Sequence, residues 1–179
     1  ACDEKVHGVF LTMPLPPAFD PEKVLLYLDP RKDVEGIHPT NLGLIVLRRA
    51  KLLPSTAYAV FRLIESTGVN LRGKKATIIG QSSIVGRPVQ LLLGERRATT
   101  VVCNTGTTED EIRKTVSESD IVVACAGQPG LIRGDWIREG AIVIDVGTTE
   151  REGKLVGDVE YEKASEKASY ITPVPGGVG

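Results

Sequence analysis

From Leu71 onward, short apolar runs alternate with stretches whose apolar residues recur at helical spacing. Four runs rich in β-branched residues predict buried strands, and the stretches between them predict helices. The predicted strands are 76–79, 99–103, 121–124 and 141–146, and the predicted helices are 86–93, 109–118 and 133–138. Apolar strands that alternate with helices are typical of a parallel sheet covered on both faces. Because such crossovers are right-handed, we expect a doubly wound α/β sheet.

The flanking segments predict shorter elements. Before Leu71 the sequence predicts a strand over 6–13, which Pro14 ends. It then predicts a helix over 21–27, which Asp20 caps and whose apolar face consists of Val24, Leu25 and Leu28. A polar loop over 29–39 follows. After the fourth strand the predicted elements are a polar turn over 150–155 with Gly153 at its tip, a helix over 161–167 and a strand over 169–172.

A longer helix is predicted over residues 55–66, where it would join two lobes. Ser55 or Thr56 would cap its start, and Gly68 would end it. Its buried side is predicted to consist of Tyr58, Phe61, Leu63 and Ile64.

Glycines follow several of the predicted strands, and the first of them opens a turn into a helix. Gly80, Gly127 and Gly147 each lie at the carboxyl end of a strand, where open α/β sheets bind ligands. The Gly80 turn departs from the G-x-G-x-x-G fingerprint at Ser82 and Val85, so alone it could be an ordinary strand-to-helix turn. Three glycines in corresponding places favour a nucleotide site, with backbone N–H groups facing a phosphate.

Composition excludes several other classes of function. A net charge of −1 and an aromatic content of 4% give no basis for binding nucleic acid or an acidic membrane surface. The three cysteines, Cys2, Cys103 and Cys125, show no metal-ligand spacing, so we expect no metal and a reducing compartment. No apolar run reaches the roughly 18 residues of a membrane span. Because the chain starts at Ala1 and stops inside a glycine-rich motif, we expect it to be part of a longer polypeptide.

Six segments carry a more specific signal: 13–16 (MPLP), 32–36 (KDVEG), 80–88 (GQSSIVGRP), 127–130 (GQPG), 143–147 (VIDVG) and 172–179 (TPVPGGVG). In this order they resemble the methylenetetrahydrofolate dehydrogenase/cyclohydrolase family, over nearly the whole chain. The resemblance implies part of a folate-binding catalytic domain with a linking helix in 1–70, and an NAD(P)-binding Rossmann-like domain in 71–179.

The resemblance implies an NAD(P)-dependent oxidation of 5,10-methylenetetrahydrofolate to the methenyl form, followed in the complete enzyme by hydrolysis to 10-formyltetrahydrofolate. It also implies a folate substrate, a homodimer, a cytoplasmic location and a role in purine biosynthesis. The cofactor residues that it implies are Gly80, Gln81, Ser82, Ile84, Val85, Gly86, Pro88, Thr105, Gly127, Gly147 and Thr148. The substrate residues that it implies are Pro14, Leu15, Glu35, Pro173, Gly176 and Gly177.

The chain departs from the family pattern at the catalytic positions. The family's catalytic lysine lies upstream of everything in this sequence. Thr12 stands in place of a glutamine, and Glu35 in place of an aspartate that positions the folate. Glu35 keeps the carboxylate but is longer by one methylene, and its alternative reading is a solvated loop acid. His7 is predicted to be structural, His38 matches no proton-relay arrangement, and Asp145 is predicted to organise neighbouring backbone.

Cofactor preference stays open in the sequence. Gln81 replaces an arginine, and Asn104-Thr105 replaces a common His-Ser pair, which weakens the case for a 2′-phosphate. No acidic residue directly follows the second strand to hold a ribose diol, so NAD is not favoured either. Family frequency favours NADP. The alternatives to the enzyme are a non-catalytic nucleotide- or folate-binding module derived from the family and, more remotely, an unrelated α/β dehydrogenase.

Overall fold

The computed structural model describes residues 3–13 and 15–179. In this part of the chain seven strands are found: β1 (Lys75–Ile79), β2 (Thr99–Cys103), β3 (Ile121–Ala124), β4 (Ile142–Asp145), β5 (Thr149–Arg151), β6 (Lys154–Val156) and β7 (Tyr170–Ile171). Five of them form a parallel sheet in the order β2-β1-β3-β4-β7, and β5 pairs with β6 in an antiparallel hairpin. The predicted parallel sheet is confirmed.

The helices of the described residues are α1 (Pro21–Leu26), α2 (Pro39–Val46), α3 (Ser55–Ser66), α4 (Gly86–Glu95), α5 (Glu109–Ser117) and α6 (Tyr161–Ser165), with a 3₁₀ turn at Gly134–Trp136. Asp20 caps α1 as predicted, since its carboxylate accepts hydrogen bonds from the N–H groups of Glu22 and Lys23. None of these helices combines the length and the apolar character that crossing a membrane requires.

Successive residues of each strand face opposite sides of the sheet, and both sides are covered. Ile78 and Val123 lie side by side in the register of β1 and β3, and they pack with Val60, Ile64, Val89 and Leu93 of α3 and α4. On the other side Ile79 and Val122 pack with Ile112, Val116, Trp136 and Ala164, which belong to α5, the 3₁₀ turn and α6. Helices therefore cover both faces, and the doubly wound, Rossmann-like α/β fold is confirmed.

Two of the shorter predicted elements are wrong. Residues 6–13 form no regular strand, because their pairing is confined to a single bridge between Val9 and Asp33 in a neighbouring loop. The predicted helix over 133–138 is a single 3₁₀ turn. A Cβ on Gly134 would lie 2.5 Å from the backbone nitrogen of Ala164, so Gly134 packs closely against α6. The backbone of Ile137 is extended, and the turn therefore ends at Trp136.

The start and the buried face of α3 also differ from prediction. Pro54 occupies the N-cap position, and no side chain caps the helix. The exposed fraction of Tyr58 is 42%, whereas Ala57 and Val60 are fully buried. Residues 57, 60, 61 and 64 follow the helical repeat and form one face, and position 58 lies about 100° away from position 57. Gly68, with a φ of +75°, follows the helix end as predicted.

Candidate functional site

The turn between β1 and α4 is tightly packed by its two glycines. Gly80 has a φ of +118°, and a Cβ on it would lie against the carbonyl of Cys125. A Cβ on Gly86 would lie against the carbonyl oxygen of Gly80. The Ser82 hydroxyl accepts hydrogen bonds from the N–H groups of Val85 at 3.1 Å and Gly86 at 3.4 Å. The turn therefore brings the start of α4 close to the end of β1, as a diphosphate site requires.

A cavity of about 490 Å³ lies beside this turn, at the carboxyl ends of β1 and β2. Gly80 and Thr105 line it, together with Asn104, Glu109 and Arg133. The amide of Asn104 donates a hydrogen bond of 3.4 Å to the side-chain oxygen of Gln81. Ala126 and Gln128, which follow β3, also line the cavity, so it extends to the boundary between β1 and β3, where the strand order reverses and doubly wound sheets bind nucleotides.

Two further cavities adjoin each other at the start of α3. One, of about 520 Å³, is lined by Thr148, Pro173, Gly176 and Gly177 among the predicted residues. The other, of about 190 Å³, is lined by Thr12, Glu35 and Ile84. Both cavities also have Ser55 and Thr56 in their walls. The structure thus gathers predicted substrate residues from the first 70 positions and predicted cofactor residues from the sheet around one helix start.

Several predicted residues lie elsewhere. Pro14 is outside the described residues. Leu15 is half-buried but does not line these three cavities. Seven predicted cofactor residues line none of these three cavities: Gln81, Ser82, Val85, Gly86 and Pro88 of the turn and the start of α4, and Gly127 and Gly147 of the loops after β3 and β4.

Glu35 is held at the start of α3 by two hydrogen bonds. Its carboxylate accepts one of 3.0 Å from the Ser55 hydroxyl, and its carbonyl accepts one of 3.2 Å from the Ser55 N–H. The next residue, Gly36, has a φ of +67° and packs against the Leu53 backbone. The sequence predicted Ser55 as a helix cap, and the structure instead gives its hydroxyl to Glu35. Glu35 is therefore half-buried in the wall of the cavity, with its carboxylate hydrogen-bonded to the start of α3.

The loop that carries Glu35 is anchored by a buried carboxylate. Asp33 is 1% exposed, and its Oδ2 accepts hydrogen bonds of 2.8 Å from the His38 N–H and the Asn41 amide. The His38 ring accepts a hydrogen bond from the Thr40 N–H and so caps α2. The sequence suggested no proton relay at His38, and the structure gives its ring the role of a helix cap.

Two buried aspartates hold the loops that follow β3 and β4. Asp145 accepts hydrogen bonds from the N–H groups of Gly147 at 2.9 Å, Asp158 at 3.1 Å and Val159 at 2.9 Å. The pKa of Asp145 is raised above its ordinary value, mainly because the carboxylate is buried. The three N–H groups offset part of this rise, and the charge of Asp158 adds to it. The prediction that Asp145 organises neighbouring backbone is confirmed.

Sequence reasoning missed Asp158. Its Oδ2 accepts hydrogen bonds from the N–H groups of Ala126 at 2.7 Å and Gly127 at 2.9 Å. Asp158 is fully buried, although it stands between a glycine and a valine after a polar hairpin, a pattern typical of a turn. The sequence carried no signal for its role, because the contacts join residues more than 30 positions apart.

Cys125, beside the Gly80 turn, gives a pH-dependent prediction. Burial, with the charge of Asp158, raises the pKa of its thiol from 9.0 to about 12. Since the thiolate is the reactive form, three pKa units mean roughly a thousandfold less of it at neutral pH. At pH 8 we expect iodoacetamide to label Cys125 at least about 100-fold more slowly in the native chain than in guanidinium chloride, followed by peptide mass spectrometry. Equal rates in the two states would show that the thiol is neither buried nor shifted.

Comparison with known proteins gives a consistent result. Residues 54–179 match the family model described as "Tetrahydrofolate dehydrogenase/cyclohydrolase, NAD(P)-binding domain". "Bifunctional protein FolD 1" of Hydrogenovibrio crunogenus is 47% identical over 177 residues, which are 98% of this chain and 62% of that protein.

Solved structures agree with this match. The bifunctional methylenetetrahydrofolate dehydrogenase/cyclohydrolase FolD from Campylobacter jejuni has a TM-score of 0.94 and 42% identity, covering 99% of this chain and 63% of its own. The corresponding enzyme from Trypanosoma brucei, complexed with NADP cofactor and inhibitor, has a TM-score of 0.93, 42% identity and the same coverage. The chain therefore spans less than two thirds of the length of these relatives.

Proposed function

The chain belongs to the tetrahydrofolate dehydrogenase/cyclohydrolase family, and from this membership we propose that it takes part in the NADP-dependent oxidation of 5,10-methylenetetrahydrofolate to 5,10-methenyltetrahydrofolate. In the complete enzyme the methenyl product would then be hydrolysed to 10-formyltetrahydrofolate. The relatives named as bifunctional enzymes support both steps.

The observation that carries the proposal is the pair of adjoining cavities at the start of α3. Glu35 lines the smaller cavity, Thr148 lines the larger one, and Ser55 and Thr56 line both. Hydride transfer requires donor and acceptor carbons held about 3–3.5 Å apart, in a site that excludes water. We propose that the two cavities, which have Ser55 and Thr56 in common, form one cleft in which the two rings would lie next to each other.

The residues of the Gly80 turn fit a dinucleotide. Because Gly80 and Gly86 have no Cβ, the turn can close against the Cys125 carbonyl and on itself, and the ten-residue helix α4 then begins next to the end of β1, where its N-terminal dipole would favour a diphosphate. A bound nicotinamide would supply the hydride acceptor. Gly127 and Gly147, held by the two buried aspartates, would support its ribose and ring.

Glu35 would orient the folate. A carboxylate accepts hydrogen bonds from the amino and ring N–H groups of a pterin, and its contact with Ser55 limits the freedom of the longer side chain. Thr12 lines the same cavity but is too short to replace a glutamine contact directly. We therefore assign substrate positioning to Glu35 and only a share of the cavity wall to Thr12.

The proposal includes the organisation of the chain. Residues 1–70 would contribute part of the folate-binding catalytic domain and the linking helix, and residues 71–179 the NAD(P)-binding domain. The free thiols of Cys103 and Cys125 fit a reducing compartment, and we propose a cytoplasmic enzyme. We further propose a homodimer with a role in purine biosynthesis.

Glu35→Gln tests the function, with Glu166→Gln, the same change on an exposed side chain near α6, as the control. We expect Glu35→Gln to weaken binding of 5-formyltetrahydrofolate, used as a stable folate probe, about 10–100-fold, because a charge-assisted contact contributes about 1.5–3 kcal/mol. NADP affinity should stay unchanged in both variants. Calorimetric titration measures both ligands, and the absorbance of reduced nicotinamide measures turnover with 5,10-methylenetetrahydrofolate.

The outcomes separate the competing functions. Turnover by the unmodified chain supports the dehydrogenase, and its loss in Glu35→Gln alone supports the assigned role. Binding of both ligands without turnover would support the two binding sites, and it would fit both the binding module and a chain that lacks the family's upstream lysine; turnover by a longer polypeptide that carries this lysine would then decide for the enzyme. A chain that binds NADP but no folate would contradict a folate site at Glu35.

A further inference from the structure

Gln81 stands where the family pattern has an arginine. The residue that would recognise the 2′-phosphate of NADP is therefore not evident from the turn itself. Gln81 is neutral, and its side-chain oxygen already accepts a hydrogen bond from Asn104. The cavity next to this pair therefore needs a cation from another part of the chain if it is to distinguish NADP from NAD.

The cavity at the ends of β1 and β2 contains such a cation. Among the described residues that line it, Arg133 is the one basic side chain and Glu109 is the one carboxylate. Arg133 precedes the 3₁₀ turn and lines the cavity from the segment after β3, whereas Asn104 and Thr105 line it from the segment after β2. Without the guanidinium, Glu109 would leave the lining with a net negative charge.

The Arg133 side chain is available for a ligand. It forms an ion pair of 3.3 Å with Asp135, and the side chains of both residues are more than half exposed, at 56% and 53%. Exposed ion pairs of this kind contribute about 0–1 kcal/mol, so a phosphate with two negative charges would compete for the guanidinium. The nearby Glu160 carboxylate is already engaged by Lys163 and by the Gly134 N–H.

We propose that Arg133 determines cofactor preference by pairing with the 2′-phosphate of the adenosine ribose, in place of the arginine that Gln81 replaces. The inference rests on the proposed function, since it assumes that the dinucleotide occupies this cavity. The uncharged side chains of Thr105 and Asn104 would donate hydrogen bonds to the same phosphate. The negative charge of Glu109 would weaken phosphate binding if the Arg133 guanidinium were absent.

The test is calorimetric titration of the chain with NADP and with NAD, in three variants. For Arg133→Gln we expect the Kd of NADP to rise about 10–100-fold and the Kd of NAD to change less than about twofold, because NAD lacks the phosphate. Arg133→Lys keeps the charge and should recover part of the NADP affinity. Arg72→Gln makes the same charge change just before β1, away from the cavity, and should leave both affinities unchanged.

The salt dependence of nucleotide affinity is a second measurement, and it would not change if the role of Arg133 were only structural. A contact between an arginine and a phosphate is screened, so NADP affinity should fall more steeply with salt than NAD affinity, and Arg133→Gln should remove the difference. Unchanged NADP binding in Arg133→Gln, or an equal loss of NADP and NAD, would overturn the inference and leave the proposed function standing. An unmodified chain that binds neither nucleotide would overturn both.

Discussion

Replacement of Gly86 by alanine is expected to abolish detectable NADP binding and to destabilise the chain. A Cβ at this position would lie against the carbonyl oxygen of Gly80, and the backbone of Gln81 is 3.2 Å away on the same side. Backbone atoms cannot rotate out of the way as a flexible side chain can. The start of α4 must therefore move away from the end of β1, which opens the turn that would cradle the diphosphate.

The expected magnitudes follow from that geometry. Overpacking in a tight site costs about 1–3 kcal/mol, and here we expect the upper end, about 3 kcal/mol, in urea unfolding monitored by circular dichroism. We expect NADP affinity in calorimetry to fall at least about 100-fold, because several N–H contacts and the helix dipole are displaced together.

Gly94→Ala is the matched control on the same helix. Gly94 lies in the last turn of α4, and no atom is within 4 Å of the position that its Cβ would occupy. Alanine is the better helix former by up to about 1 kcal/mol, so this variant should be as stable as the original chain or slightly more stable. If Gly86→Ala binds NADP as Gly94→Ala does, the Gly80 turn is not the diphosphate site.

The contrast between these two glycines shows what the sequence could predict. The apolar runs of β1 to β4 are so regular that the strands and their parallel, doubly wound arrangement were predicted from periodicity and from the crossover rule, whereas the order β2-β1-β3-β4-β7 was not predicted. Gly80, Gly127 and Gly147 pointed to a ligand site because each follows a strand. The resemblance selects Gly86 and not Gly94, but the physical reason, the close approach of the Gly80 carbonyl, is visible only in the structure.

The parts that escaped prediction depend on contacts between distant segments. Tyr58 looked buried from its residue type, but the face of α3 is set by packing on α4 and the sheet. Ser55 looked like a helix cap, whereas its hydroxyl binds a carboxylate 20 positions earlier. Residues 6–13 are apolar enough for a strand, but in the described part of the chain their pairing is limited to one bridge, between Val9 and Asp33. Local propensity cannot predict these outcomes, because the competing partner lies elsewhere in the chain.

Asp158 is the clearest case of such a partner, and its removal should have the second-largest effect. Its carboxylate binds the N–H groups of Ala126 and Gly127, while its own N–H is bound by Asp145, which also holds Gly147. Asp158→Ala removes two part-buried hydrogen bonds to a carboxylate, each of which contributes about 1.5–3 kcal/mol. We expect a loss of about 2–4 kcal/mol in urea unfolding, and at least a tenfold loss of NADP affinity, because the loops after β3 and β4 would no longer be held together.

Two further variants separate the hydrogen bonds from the charge and from general effects of losing an aspartate. Asp158→Asn retains an oxygen that accepts from both N–H groups, so it should recover most of the stability and of the NADP affinity. Asp110→Ala removes an exposed carboxylate from the first turn of α5, and it should cost less than about 1 kcal/mol. If Asp158→Asn is as damaging as Asp158→Ala, the charge matters and not the hydrogen bonds. If Asp158→Ala unfolds no earlier than Asp110→Ala, these hydrogen bonds do not hold the cofactor loops, because the loops keep their stability without them.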